Sequence, residues 1–171
     1  MEELKILLKV LHRLRKENIP VKLLHVGQEE AGFKNNLLEY AAQFSISQFL
    51  IFTGYLSSWE VSEHLFASDI GVAVYPDGVS EKRSAFLSLL AHGLPIVGTC
   101  KGSLPRWFKA GKNLLSVPVG CEDSWYEAIR QLITDKDLRD RIRSGAKAVA
   151  SSFDWDEIAA QTSNLYQKLN P

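Results

Sequence analysis

The 171-residue chain holds few groups suited to a covalent or metal-bound framework. Its two cysteines, Cys100 and Cys121, are too few to form a disulfide scaffold. The four histidines (His12, His25, His64 and His92) are scattered and show no ligand spacing with the cysteines, so no metal site is expected. An excess of one charge is also missing, since 20 basic and 20 acidic residues cancel. That balance argues against nucleic acid as the main partner, because phosphate-backbone binding needs a strongly basic face. No apolar run approaches the roughly 18 residues of a membrane span. The N-terminus is a charged amphipathic segment and lacks the apolar core and cleavage site of a signal peptide. A cytoplasmic, reducing compartment is therefore expected. There is no internal repeat and no low-complexity linker.

What is present is an ordinary globular composition, 46% hydrophobic and 23% charged, enough for a single domain over residues 1–171 with a real core. Helical and strand patterns alternate throughout. Leu4, Leu7, Leu8, Leu11 and Leu14 predict an amphipathic helix over residues 2–17. Strands are expected at 21–26, 49–53, 70–74, 95–98 and 113–119. Helices are expected at 30–46, from Ser57 (with Glu60 at capping-box spacing) to about 67, at 84–91, and in a short piece at 104–108. The tail reads as three helices. One carries the stripe Trp125, Ala128, Ile129, Leu132 and Ile133; one is capped by Asp135; the last is capped by Asp154 and Glu157 and buries Ile158, Leu165 and Leu169. Such alternation points to an α/β fold with a parallel sheet covered on both faces. The chain nonetheless starts on a helix, where βαβ arrays normally start on a strand.

The most informative stretch lies between Tyr75 and Thr99. An apolar strand runs into a polar loop carrying the adjacent cations Lys82 and Arg83, then into a short apolar helix, then through Gly93 and Pro95 into a second buried strand. In open parallel sheets, ligands bind where strands end and helices begin. A helix N-terminus presents unpaired N–H groups and a positive dipole end to an anion. The dibasic pair just ahead of that helix, with the backbone N–H groups of Arg83, Ser84 and Ala85, suggests a phosphate ligand. The alternative is a solvated turn with two surface cations.

Several segments together resemble a known family: His25-Val26-Gly27, Phe52-Thr53-Gly54-Tyr55-Leu56, Ala67-Ser68-Asp69-Ile70, Ala91-His92-Gly93-Leu94-Pro95-Ile96-Val97 and Phe153-Asp154-Trp155. Their order is similar to that of the C-terminal donor-binding domain of GT-B fold, group 1 retaining glycosyltransferases. The resemblance covers practically the whole chain. It implies a Rossmann-like parallel sheet with helices on both faces, lacking its first strand. It also implies a fragment of a two-domain enzyme whose N-terminal GT-B domain is absent. Loss of the first strand, central in such sheets, would leave a gap or force a repaired pairing.

The donor implied is a nucleotide diphosphate sugar, used without cofactor or metal, and the resemblance leaves room for peripheral membrane association of the intact enzyme. Gly27, Gly54, Ser80, Glu81, Lys82, Arg83, Ser84 and Ser88 are the implied donor-binding residues; catalytic residues are not identified. Ser80 and Ser88 stand where many members place glutamates, and Asp77 or Glu81 could supply the missing carboxylate. Lys101-Gly102-Ser103-Leu104-Pro105-Arg106 replaces the family's Gly-Gly-x-x-Glu loop, with arginine at the acidic position.

Each candidate also has a plainer explanation. Ser80 suits an N-cap, Ser88 close packing, and Gly27 and Gly54 the tight turns that end strands. His92 reads as a helix end rather than a base, and His25 as a core histidine with satisfied nitrogens. Two other functions remain open at this point: a non-catalytic nucleotide- or protein-binding module, and a nucleotide-sugar epimerase of GT-B fold.

Overall fold

The computed structural model describes residues 1–169, apart from the side chains of Trp155 and Glu157. The order is α1 (Glu2–Lys16), β1 (Leu23–His25), α2 (Phe33–Ala42), β2 (Leu50–Phe52), α3 (Ser58–Phe66) and β3 (Gly71–Ala73). It continues with α4 (Ser84–Ala91), β4 (Ile96–Cys100), β5 (Leu115–Pro118), α5 (Glu122–Thr134), α6 (Lys136–Ala150) and α7 (Trp155–Leu169). Caps explain several boundaries. Glu60 N–H donates to Ser57 Oγ while the Glu60 carboxylate accepts from Ser57 N–H at 2.8 Å, completing the capping box of α3. Asp135 accepts from Leu138 N–H at 2.9 Å and starts α6. Asp154 accepts from Asp156 N–H at the start of α7, whereas the cap expected from Glu157 lies outside the described side chains.

All pairings between strands are parallel, but the strands form two sheets. One is β1-β2, with Leu23 opposite Leu50; the other is β3-β4-β5, with Val72 opposite Val97 and Thr99 opposite Val117. No strand among the described residues pairs with the edge of β1 away from β2, or with the edge of β3 away from β4. A gap thus lies between β1 and β3, with no repaired pairing across it. A cavity of about 1210 Å³ occupies it.

Helix α1 joins the two sheets through two apolar stripes. Leu8 and Leu11 pack with Leu37, Ala41 and Ile46 beside the two-stranded sheet. Leu7, Val10 and Leu14 pack with Val97, Val117, Trp125 and Leu132 beside the three-stranded one. On the surface, Arg13 stacks on the Tyr126 ring at 3.5 Å and pairs with Asp123, while Arg15 lies over Phe49 at 3.8 Å. A third core, built on Phe86, Leu90, Ile96, Phe108 and Leu114, fills the other face of the larger sheet.

Two expectations are corrected. Residues 104–108 form no helix but a turn at 106–107, as Pro105 has no N–H to donate and disfavours helical backbone at Leu104. Leu165 and Leu169 are exposed, because the apolar stripe of α7 finds no core beside it among the described residues.

Candidate functional site

The loop between β3 and α4 is built on one buried hydroxyl. Thr99, fully buried in β4, accepts from Tyr75 N–H at 2.9 Å and donates to the Tyr75 carbonyl at 2.6 Å. Val79 is buried against Gly98, where a Cβ would come within 2.6 Å of its Cγ1, and its N–H donates to the Thr99 carbonyl. Gly78 lies at φ +89°, and a Cβ there would stand 3.1 Å from Lys101 N. The loop is therefore pinned to the carboxyl end of β4 by close approach that only small residues allow. Thr99 carried no motif; a lone polar residue inside an apolar strand was the only signal that pointed to it.

Beyond this anchor the chain turns outward. Ser80 does not cap the helix: its Oγ accepts from Lys82 N–H at 3.1 Å, a local side-chain turn. Arg83 occupies the N-cap position of α4 without a capping side-chain bond. Its own N–H donates to the Ser80 carbonyl at 3.2 Å, so it is not the free donor expected. The N–H groups of Ser84, Ala85 and Phe86, in the first turn of α4, have no partner. Lys82 and Ser84 are exposed, and the Lys82 ammonium has no ion-pair partner among the described residues. Ser88 donates to the Ser84 carbonyl at 3.1 Å, which leaves its oxygen able to accept.

Arg83 is already occupied. Its guanidinium holds both carboxylate oxygens of Asp77, at 2.6 and 2.5 Å, and lies 4.6 Å from the centre of the Tyr75 ring. The bond from Arg83 holds the Asp77 carboxyl below its ordinary range, and burial pushes the Tyr75 hydroxyl up. Of the two carboxylates considered for the sugar side, Asp77 is engaged, while half-buried Glu81 has no hydrogen-bond or ion-pair partner among the described residues.

Gly27 and Gly54 lie together at the carboxyl end of the other sheet. They form a bridge to each other, at φ +114° and +68°, with open space where a side chain would stand. Gly27 N–H donates to Thr53 Oγ1. The structure thus groups Ser80, Glu81, Lys82, Arg83, Ser84 and Ser88 on one loop and helix, and Gly27 with Gly54 on a second turn. No hydrogen bond joins the two groups, and the gap between β1 and β3 separates them.

The remaining candidates are structural. His92 ends α4, with Nε2 2.7 Å from Ser62 Oγ and Nδ1 2.7 Å from the Ser88 carbonyl, so it ties α3 to α4. His25 sits between Phe33 and Phe52, and its Nδ1 is buried without a partner, contrary to expectation. Arg106 stacks on Trp107 and is exposed. Among the described residues no group of His, Cys, Asp or Glu could hold a metal ion, and no helix is long and apolar enough to cross a membrane.

Against known proteins, residues 1–135 match the model of the family described as glycosyl transferases group 1. The chain belongs to that family. A lipopolysaccharide core biosynthesis glycosyltransferase of Rhizobium meliloti, LpsE, is 28% identical over 138 residues, which cover 80% of this chain and 38% of LpsE. The sucrose-phosphate synthase of Thermosynechococcus elongatus superposes with a TM-score of 0.81 at 18% identity, over 98% of this chain and 42% of that one. HepE of Anabaena, crystallised with UDP, superposes at 0.78 and 20% identity, over 95% of this chain and 44% of its own. This group 1 glycosyl transferase chain spans less than half the length of the relatives it matches. The α/β fold with parallel strands flanked by helices is that of the GT-B glycosyltransferase neighbours.

Proposed function

We propose that the chain is the donor-binding half of a retaining glycosyltransferase. The intact enzyme moves a sugar from a nucleotide diphosphate sugar to an acceptor hydroxyl, and an N-terminal GT-B domain supplies the acceptor side. One observation carries the reading: unpaired N–H groups of the exposed residues Ser84 and Ala85 open beside Lys82 and Arg83 at the carboxyl end of β3. When the glycosidic C–O bond breaks, negative charge grows on the leaving diphosphate. Preorganised donors and cations aimed at that charge lower the barrier, in the place a metal takes elsewhere. The UDP bound by the similarly folded HepE supports a nucleotide diphosphate as the ligand class. The free thiols of Cys100 and Cys121 suit a cytoplasmic location.

Asp77 adds a condition. A carboxylate and a phosphate compete for the same planar fork, so a donor phosphate reaches the Arg83 guanidinium by exchanging with Asp77. The clasp also favours a second reading, a non-catalytic interaction module in which Arg83 only shapes the loop.

Calorimetric titration of the chain with UDP separates the two. Binding that weakens about tenfold in both Lys82→Ala and Arg83→Gln supports donor binding, each loss being that of one charge-assisted contact. Absence of heat in the parent chain leaves the interaction module. Without the acceptor half, the chain by itself is expected to show no glycosyl transfer.

A further inference from the structure

We infer that the solvent face of α3 is a docking site for an arginine-bearing helix of a partner polypeptide, recognised by two exposed rings and one unpaired carboxylate. The inference is independent of the donor reading, since α3 lies outside the loop between β3 and α4.

The face follows from helical spacing. Val61 and Leu65 turn inward to the core that Phe86 and Leu90 complete. Trp59, Glu63 and Phe66 fall on the opposite side, four and three residues apart, where side chains on neighbouring turns meet. Trp59 is 74% and Phe66 73% exposed, so neither serves the core. The Phe66 ring is nonetheless held in place. It stands edge-to-face with His92 at 4.8 Å, and His92 is bonded in turn to Ser62 and to the Ser88 carbonyl. Of the two glutamates nearest these rings, Glu60 is engaged with Ser57 in the capping box. The exposed Glu63 carboxylate has no hydrogen-bond or ion-pair partner among the described residues, and α3 contains no lysine or arginine.

Other rings of the chain show what is missing. Tyr40, Phe49, Phe52, Tyr75, Trp107 and Tyr126 each have a lysine or arginine of the same chain over the ring. Trp59 and Phe66 are more exposed than any of these, and among the described residues no cation covers them. In α5 the same geometry is complete. Asp123 and Tyr126, three residues apart like Glu63 and Phe66, together hold Arg13 of α1. Its guanidinium pairs with Asp123 at 2.7 Å and lies 3.5 Å from the centre of the Tyr126 ring. One helix is thereby fixed along another. α3 offers the same pair of groups and a second ring, without the arginine.

Charge complementarity identifies the occupant. A carboxylate beside a π face favours a cation, and a planar guanidinium can fork to the carboxylate while stacking on a ring. The carrier is a helix, because α3 has no unpaired edge to offer an extended chain, whereas a helix arrives with its own main-chain groups satisfied. An anionic membrane surface is disfavoured, as Glu60 and Glu63 repel its headgroups.

The test uses the full chain and a labelled alanine-rich helical peptide with arginine at every fourth position. Its control carries citrulline instead, which keeps the shape and removes the charge. The expected result is saturable binding, at least about tenfold weaker for the citrulline peptide. Glu63→Gln should weaken binding about tenfold, and Trp59→Ala and Phe66→Ala about threefold each, with thermal melting confirming that every variant stays folded. Equal binding of both peptides overturns the inference, as does failure of the arginine peptide to bind. Binding that survives all three substitutions overturns it too, because the peptide then sits elsewhere. Self-association of the chain that Trp59→Ala abolishes would make a second copy the occupant. Attachment to phosphatidylcholine vesicles that the same variant abolishes would make it a lipid surface. Either result overturns the inference.

Discussion

β4 lies between two strands, and all of it but Cys100 is buried; β1 and β2 have only each other, and none of their residues is fully buried. The same alternation of strand and helix made both. A parallel strand reaches full burial only with neighbours on both edges and helices on both faces, and β4 has α5 and α6 beside it as well as β3 and β5. The smaller sheet borrows its burial from α1, whose Leu8 and Leu11 close its core, and keeps an open edge towards the gap. The loop between β3 and α4 leaves the larger sheet from β3, which is paired on one edge only, but it is anchored on β4, which is paired on both. Rigidity of that loop therefore does not depend on the two-stranded sheet, because Thr99 and Gly98 sit in β4.

The contrast breaks most severely from the side of the larger sheet. A Cβ at Gly145 in α6 would stand 2.1 Å from the Lys112 carbonyl oxygen, a backbone atom that cannot swing aside. Gly145→Ala is expected to cost about 3 kcal/mol or more and to lower the melting temperature by roughly 10 °C, read by calorimetry. A change under about 1 kcal/mol would show that α6 is not locked against the turn at Lys112.

On the incomplete side, Leu8→Ala should cost about 2 kcal/mol, the low end for a buried leucine, because the loosely held sheet can settle into the space. Native-state hydrogen exchange sharpens the point. Amides of β1 and β2 should exchange through local opening well below the free energy of Val97 in β4. Equal protection in both sheets would contradict the difference drawn above.

Thr99→Val keeps the shape and removes the hydroxyl that serves both main-chain groups of Tyr75. A loss of about 1–2 kcal/mol is expected, with weaker UDP binding as the loop loosens. Unchanged affinity would mean that the loop holds its geometry without that anchor.

The smallest effect concerns pH. The Arg83 bond favours the charged form of Asp77 and lowers its folded-state value, so the clasp contributes above the ordinary aspartate value of 3.8 and is lost as pH falls through the lower folded value. Between pH 7 and 5 it should contribute no slope. Carboxyl NMR should place the Asp77 titration below 3.8 and move it back up in Arg83→Gln. An Asp77 titrating at or above its ordinary value would refute the clasp.

Much of this molecule was legible residue by residue. Leucines at helical spacing marked α1, Ser57 with Glu60 marked the start of α3, and Asp135 marked α6, since each depends on neighbours within a turn or two. The ordered motifs and the dibasic loop located the candidate site for the same reason. Less legible were properties that depend on distant partners. Leu165 and Leu169 show helical periodicity yet lie exposed, because a stripe states which face is apolar but not what covers it. The engagement of Arg83 by Asp77 was invisible, since a turn six residues wide can point its charges in many ways.

Local pattern by itself determined the helices other than the one expected at 104–108, the positions of the strands, their parallel character and the cations ahead of α4, since short-range periodicity and capping chemistry need no knowledge of the rest of the chain. Only the tertiary structure decided that the five strands part into two sheets, that Thr99 holds the loop and that Asp77 occupies Arg83. Those outcomes depend on which backbone edges and side chains meet across large sequence separations, and a gap can be recognised only once its two flanks face each other in space.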